Sequence, residues 1–113
     1  MRTVTGEIVL PEKTPAVKAG HVLIEVRDIS LADVPSQLIA EKRLDNVILK
    51  PHGRINFSIP VPEVEANRSL TLRVHVSLDG SSRVTSGDLL TTAIYPISNT
   101  GTPAPLEAAV AIV

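Results

Sequence analysis

From Leu70 to Asp79 apolar and polar residues alternate without interruption. Leu70, Leu72, Val74, Val76 and Leu78 fall on one side, and Thr71, Arg73, His75, Ser77 and Asp79 on the other. A helix would scatter that apolar set around its circumference. A period of two belongs to a half-buried strand, whose successive side chains point to opposite faces. Asp79-Gly80 supplies the turn that ends it. This reading puts Thr71, Arg73 and His75 on the solvated face.

The same period recurs along the chain. TVTGEIVL places Val4, Ile8 and Leu10 inward around Gly6, and HVLIEVRDI places Val22, Ile24 and Val26 inward. The phase breaks at Asp28-Ile29, where a strand end or a bulge is expected. GRINFSIPV buries Ile55, Phe57 and Ile59, and Pro60 and Pro62 finish it. LEAAVAIV sets Leu106, Ala108, Val110 and Ile112 on one side, whereas DLLTTAIYPI has no clear facing. In QLIAEKRL, Leu38, Ala40 and Leu44 share a face into which Lys42 intrudes. A lysine there suits an exposed edge strand, where it discourages wrong pairing. The pattern leaves room for a helical turn only at ISLADVPSQ. About seven strands result, separated by clusters of Pro, Gly, Asn, Asp and Ser. Strands with one apolar face each must bury those faces against one another. The expected fold is therefore all-β, a single antiparallel β-sandwich over residues 1–113. The Pro/Thr/Gly-rich segments 11–20 and 98–105 read as mobile loops.

Composition narrows the chemistry. Of 113 residues, 43 % are hydrophobic but only 2 % aromatic, so Val, Ile, Leu and Ala must fill the core. The chain has no cysteine, which removes disulfides, thiolate metal sites and a cysteine nucleophile. A formal net charge of −1 gives no field that would draw nucleic acid or an anionic membrane. No apolar run approaches the ~20 residues that span a bilayer. No signal-peptide pattern is visible in residues 1–20.

Candidate reactive groups are scattered. His21, His52 and His75 share no metal-ligand spacing, and each reads as a surface or turn residue. Glu63 and Glu65 lie in the Pro-bounded loop VPEVEANRS, without the cleft that paired acids need. Asp28 falls on the core-facing phase, so it reads as a turn former whose carboxylate meets backbone amides. Ser81, Ser82 and Ser86 have no nucleophile elbow, and no phosphate loop occurs. Asn67-Arg68-Ser69 matches a glycosylation acceptor, a pattern frequent by chance. Lys42, Arg43, Lys50 and Arg54 lack the aromatic platforms of a single-strand nucleic-acid site. No catalytic, cofactor-binding or metal-binding residue is assigned.

The segment VLIEVRDISLADVPSQLIAEKRL has a distinctive order, an apolar strand entering Asp28-Ile29-Ser30, Ala32-Asp33 and Pro35. GRINFSIPV, the Asn67–Val76 strand and the Tyr95-Pro96 pair follow. Over roughly residues 3–113 this order resembles the YscW-type lipoprotein family, which includes pilotin-like chaperones of type III secretion and YbaY-like envelope lipoproteins. The resemblance implies a compact β-sandwich with a non-enzymatic role, carried to the bacterial outer membrane by an N-terminal lipid. It also implies that some members help secretins assemble. The sequence shows neither a leader nor a lipobox cysteine, so the lipid attachment is carried onto no residue.

The leading expectation is thus an envelope binding or chaperone module. It would meet a protein partner, an outer-membrane or secretion component, through a sheet edge or face. The favoured edge comprises Gln37, Ile39, Glu41 and Arg43, with the loop 79–88 nearby. Thr71, Arg73 and His75 form a weaker surface. A small-ligand-binding β-sandwich is the alternative, handicapped by the shortage of aromatics. A cytoplasmic protein is expected if no leader was removed. A homodimer through paired edges or the C-terminal strand is compatible with the pattern.

Overall fold

A computed structural model describes residues 2–31, 33–97 and 105–113. It contains β1 (Arg2–Val9), β2 (His21–Asp28), β3 (Gln37–Leu44), β4 (Arg54–Val61), β5 (Leu70–Ser77), β6 (Leu89–Thr91), β7 (Tyr95–Ile97) and β8 (Leu106–Ile112). The described residues contain no helix, and the stretch around Asp33 and Val34 is turn and bend. The ambiguous DLLTTAIYPI segment resolves into two short strands, β6 and β7, both paired with β5.

The period-two reading located the core. Val4, Ile8, Val22, Ile24, Val26, Ile59, Val74, Val76 and Ala108 are all fully buried, and Leu10, Leu70, Leu72, Ile55, Phe57 and Val110 are nearly so. The layer arrangement differs from the expected antiparallel sandwich. The strands form one sheet in the order β3-β2-β5-β6-β8-β1-β4, nearly closed on itself like a barrel. β8 inserts between β6 and β1, running parallel to β1 through Gly6–Leu106, Glu7–Glu107, Ile8–Ala108 and Val9–Ala109. Alternation says that a strand has one buried face. It does not say whether that face meets a second sheet or the far side of the same rolled sheet.

The ends of the path, β3 and β4, approach each other. Lys42 Nζ donates to the Ser58 carbonyl at 2.8 Å across that seam. No backbone ladder joins β3 to β4 among the described residues.

Four facings depart from expectation. His21 was read as a surface or turn residue but is 4 % exposed. Ile112 was expected inward but is 42 % exposed, because β8 has left β1 by Ala109 and its last residues pair with β6 alone. Leu38 was expected to share the face of Ala40 and Leu44. Val26 pairs with Ala40 but Arg27 with Leu38, a register shift that turns Leu38 outward beside Arg27. His75 was expected in solvent but is buried. The 79–88 connection folds over the outer face of β5, and His75 packs edge-on against His21 there.

The 11–20 segment, expected to be mobile, is tied down by hydrogen bonds. Thr14 Oγ1 donates to the Pro11 carbonyl at 2.8 Å, the Ala19 amide to Val47 O at 2.8 Å, and the Leu49 amide to Val17 O at 2.7 Å. Most of the other expected loop, residues 98–104, lies outside the described residues. The Asp79-Gly80 turn is present, with Gly80 at φ 83°, a conformation glycine adopts without steric cost.

Candidate functional site

Two regions bring together residues that the sequence singled out. The first is the free side of β3. Glu41 and Arg43 are exposed and pair opposite Glu25 and Leu23 of β2, on the outer face. The register shift makes Ile39 the extra residue between Leu38 and Ala40, half-buried against the core. Gln37 pairs with Asp28, on the opposite side from Leu38. The four proposed edge residues therefore follow one strand but not one face.

Beside the start of β3 an open groove of about 510 Å³ runs to the β4–β5 loop. Ile39 and Val64 give it an apolar floor, and Gln37, Glu63, Glu65 and Arg68 stand around them. Asp28 anchors its wall. Its Oδ1 accepts from the Ser30 amide at 2.9 Å and from the Ser30 hydroxyl. Its Oδ2 pairs with Arg68 Nη1 at 2.9 Å. The Ser30 hydroxyl, the Ser30 amide and then Arg68, against a smaller opposing effect of burial, hold the Asp28 carboxyl below its usual range. Ser30 Oγ in turn accepts from the Ser69 amide at 2.8 Å, so the start of the β2–β3 loop is fastened to the start of β5. Asp28 is thus the turn former the sequence suggested.

The second region is the outer face of β2 and β5. Glu25 is 5 % exposed and lies between two guanidiniums. Arg73 Nη1 reaches its Oε1 at 2.8 Å, and Arg27 Nη2 reaches its Oε2 at 3.0 Å. Burial pushes the Glu25 carboxyl up, but the hydrogen bonds and charges of Arg27 and Arg73 outweigh it and leave the group ionised more readily than usual. Thr71 Oγ1 binds the Tyr95 backbone, donating to its carbonyl and accepting from its amide. Thr71 and Arg73 share this surface, whereas His75 is withdrawn into the pair with Asp88 at 2.9 Å.

Two of these features escaped the sequence reading. The alternation puts Glu25 and Arg27 together on the outward face of β2, but their meeting with Arg73 depends on the pairing of β2 with β5. Asp88 sits in a turn thirteen residues beyond His75, and no local pattern joins them.

Exchanging Glu25 for glutamine keeps the shape but removes the charge both arginines meet. Glu25→Gln is expected to lower unfolding stability by about 2 kcal/mol, since hydrogen bonds to charged groups are worth roughly 1.5–3. Urea unfolding reads this, and a change under about 0.5 kcal/mol would make the trio a surface ornament.

Among the described residues, no group of three or more His, Cys, Asp or Glu side chains is arranged to hold a metal ion. No helix of the described residues is long and apolar enough to cross a membrane.

Residues 1–102 match the family model described as type III secretion system lipoprotein chaperone (YscW). Among solved structures, the fold is similar to that of an alternative pilotin from the type II secretion system of Vibrio cholerae. The identity is 20 % and the TM-score 0.70, covering 99 % of this chain and 96 % of that one. At that identity the likeness is one of fold. No curated protein matches the chain.

Proposed function

The chain belongs to the type III secretion system lipoprotein chaperone (YscW) family, and from that premise we propose that it is a non-enzymatic, pilotin-like chaperone of the bacterial envelope. Its partner in this reading is an extended segment of a secretin, added as a strand to β3. The observation that carries the reading is the edge itself. β3 is hydrogen-bonded to β2 on one side, and on the other it meets β4 without a backbone ladder among the described residues. An unladdered edge offers amides and carbonyls to an incoming strand, and neighbouring pockets then read alternate side chains. The groove floored by Ile39 and Val64 is such a pocket at the start of the strand. Lys42 bridges the seam by one side-chain hydrogen bond, which an incoming strand can displace at small cost because its ammonium returns to water.

Overlapping peptides covering a secretin test this by amide hydrogen exchange. A peptide that binds by strand addition slows exchange across Gln37–Leu44. An Ile39→Pro chain, its fold checked by circular dichroism, binds that peptide at least about tenfold more weakly, because proline lacks an amide and resists the register. Peptide binding without protection of β3 would remove the edge from the proposal.

A further inference from the structure

We propose that the groove on the outer face of β2 and β5 binds a carboxylate carried on an extended segment of a protein partner. This groove, about 330 Å³, is separate from the β3 edge and its pocket. Arg27, Arg73, Thr71 and Thr92 line it, with Ile29 and Ile94 among its apolar walls, and no carboxylate lines it among the described residues.

The hydrogen bonding of the two arginines differs. Arg27 uses four of its five N–H donors: Nε and Nη2 face Glu25, and Nη1 donates to the carbonyl and hydroxyl of Ser36. Arg73 gives Nη1 to Glu25 and, among the described residues, nothing further. A guanidinium carries five N–H donors in a planar fork that matches a carboxylate. The Arg73 side chain is 36 % exposed, and it keeps donors for a second acid. Charge agrees with this count. Two guanidiniums meet one buried carboxylate, which leaves one positive charge at the groove. Of the further acids on this face, Glu41 lies on the far side of Glu25 from Arg73, and Asp88 is taken up by His75, Leu78 and Thr85.

The walls argue for a peptide over a free anion. Contact with one half-exposed guanidinium is weak by itself. Ile94, 66 % exposed, and the half-buried Ile29 offer apolar surface beside the charge. An acidic residue flanked by apolar ones would use both at once, and such a segment gains from the two contacts together.

The test uses a capped leucine-glutamate-leucine tripeptide, its glutamine counterpart, and acetate. Binding is followed by the Arg73 Nε–Hε NMR resonance. The acidic peptide is expected to shift that resonance and to bind at least about tenfold tighter than the glutamine peptide, with affinity falling as salt rises. Ile94→Asp, at an exposed position that leaves the Glu25 trio intact, is expected to weaken binding about tenfold, and Arg73→Gln to abolish the charge preference. Equal binding of the two peptides would overturn the proposal. So would an Ile94→Asp chain that binds unchanged, or acetate that reproduces the shift at the same concentration. None of these outcomes touches strand addition at β3, whose test reads Gln37–Leu44 with a different ligand.

Discussion

Gly6→Ala is expected to lower the unfolding free energy by about 2 kcal/mol, the largest loss from adding one methyl group anywhere in β1. Gly6 lies on the inward phase between Val4 and Ile8, opposite Phe57 of β4 and beside Leu106 of β8. A Cβ at Gly6 would fall 2.3 Å from the Leu106 carbonyl oxygen and 3.0 Å from that residue's carbonyl carbon and amide nitrogen. These are backbone atoms, so no rotamer change relieves the overlap. Alanine restricts the unfolded chain and by that route favours folding by roughly 0.5–1 kcal/mol. Overpacking that forces a backbone shift costs about 1–3 kcal/mol and sometimes more, and here the shift breaks the parallel ladder from Gly6–Leu106 to Val9–Ala109. The steric cost therefore wins. Urea unfolding measures the net loss, and amide exchange locates it, with residues 106–109 losing protection before β2 and β5. A Gly6→Ala chain within about 0.5 kcal/mol of the parent would mean that β8 accommodates the methyl group by sliding outward.

That closure is the part of the fold the alternation could not specify. Val4, Ile8, Val22, Ile24, Val26 and Val74 were legible because a two-residue period is local and each inward side chain is simply buried. Whether β8 pairs with β1 or with a sequence neighbour depends on contacts across the length of the chain. A gap at Gly6 was visible in the sequence, but its meaning, a backbone approach, was not. The candidate edge follows the same division. Lys42 amid apolar residues marked β3 as terminal, and β3 does end the sheet path. Its facing was misread at Leu38 because one extra residue, Ile39, reverses the side that everything before it presents. The groove beside it was illegible, since Asp28 and Arg68 meet across 40 residues of sequence. His75 failed for a related reason. Its position on the polar phase was right, but that face is roofed by the 79–88 connection, and a histidine there needs a buried acceptor.

Asp88 is that acceptor, and Asp88→Ala is expected to cost about 3 kcal/mol, since each buried donor left without its acceptor costs roughly 1–3 kcal/mol. The side chain is 1 % exposed. Its Oδ1 accepts from the Leu78 amide at 3.0 Å, and its Oδ2 from the Thr85 amide at 3.0 Å and the Thr85 hydroxyl at 3.2 Å. His75 Nε2 lies 2.9 Å from the same Oδ2. Truncation strands the buried His75 ring nitrogen and takes the shared acceptor from the half-buried Leu78 amide and from Thr85, whereas Asp88→Asn keeps one acceptor but turns an NH₂ group toward other donors. The acid limb separates charge from shape. Burial alone would raise the Asp88 carboxyl, but the Leu78 amide, His75 and Thr85 outweigh it and bring it down from 3.8 to about 2. A folded value below the unfolded one stabilises the protein above the unfolded pKa, and that stabilisation is lost as pH falls through the folded value. The gap corresponds to about 2 kcal/mol at 1.36 kcal/mol per unit. It is fully present near pH 6 and fades between about pH 4 and pH 2. Asp88→Asn lacks this contribution at every pH. The stability difference between parent and Asp88→Asn should therefore shrink by about 2 kcal/mol between pH 6 and pH 2. Asp28 and Glu25 also have lowered pKa values, but they titrate in both chains and cancel in the difference. Asp79 is lowered too, and the Asp88 charge that opposes this is absent from Asp88→Asn, a smaller effect that trims the change. Urea unfolding at the two pH values decides it, and a difference that does not change with pH would mean that Asp88 holds the loop by shape and hydrogen bonding without its charge.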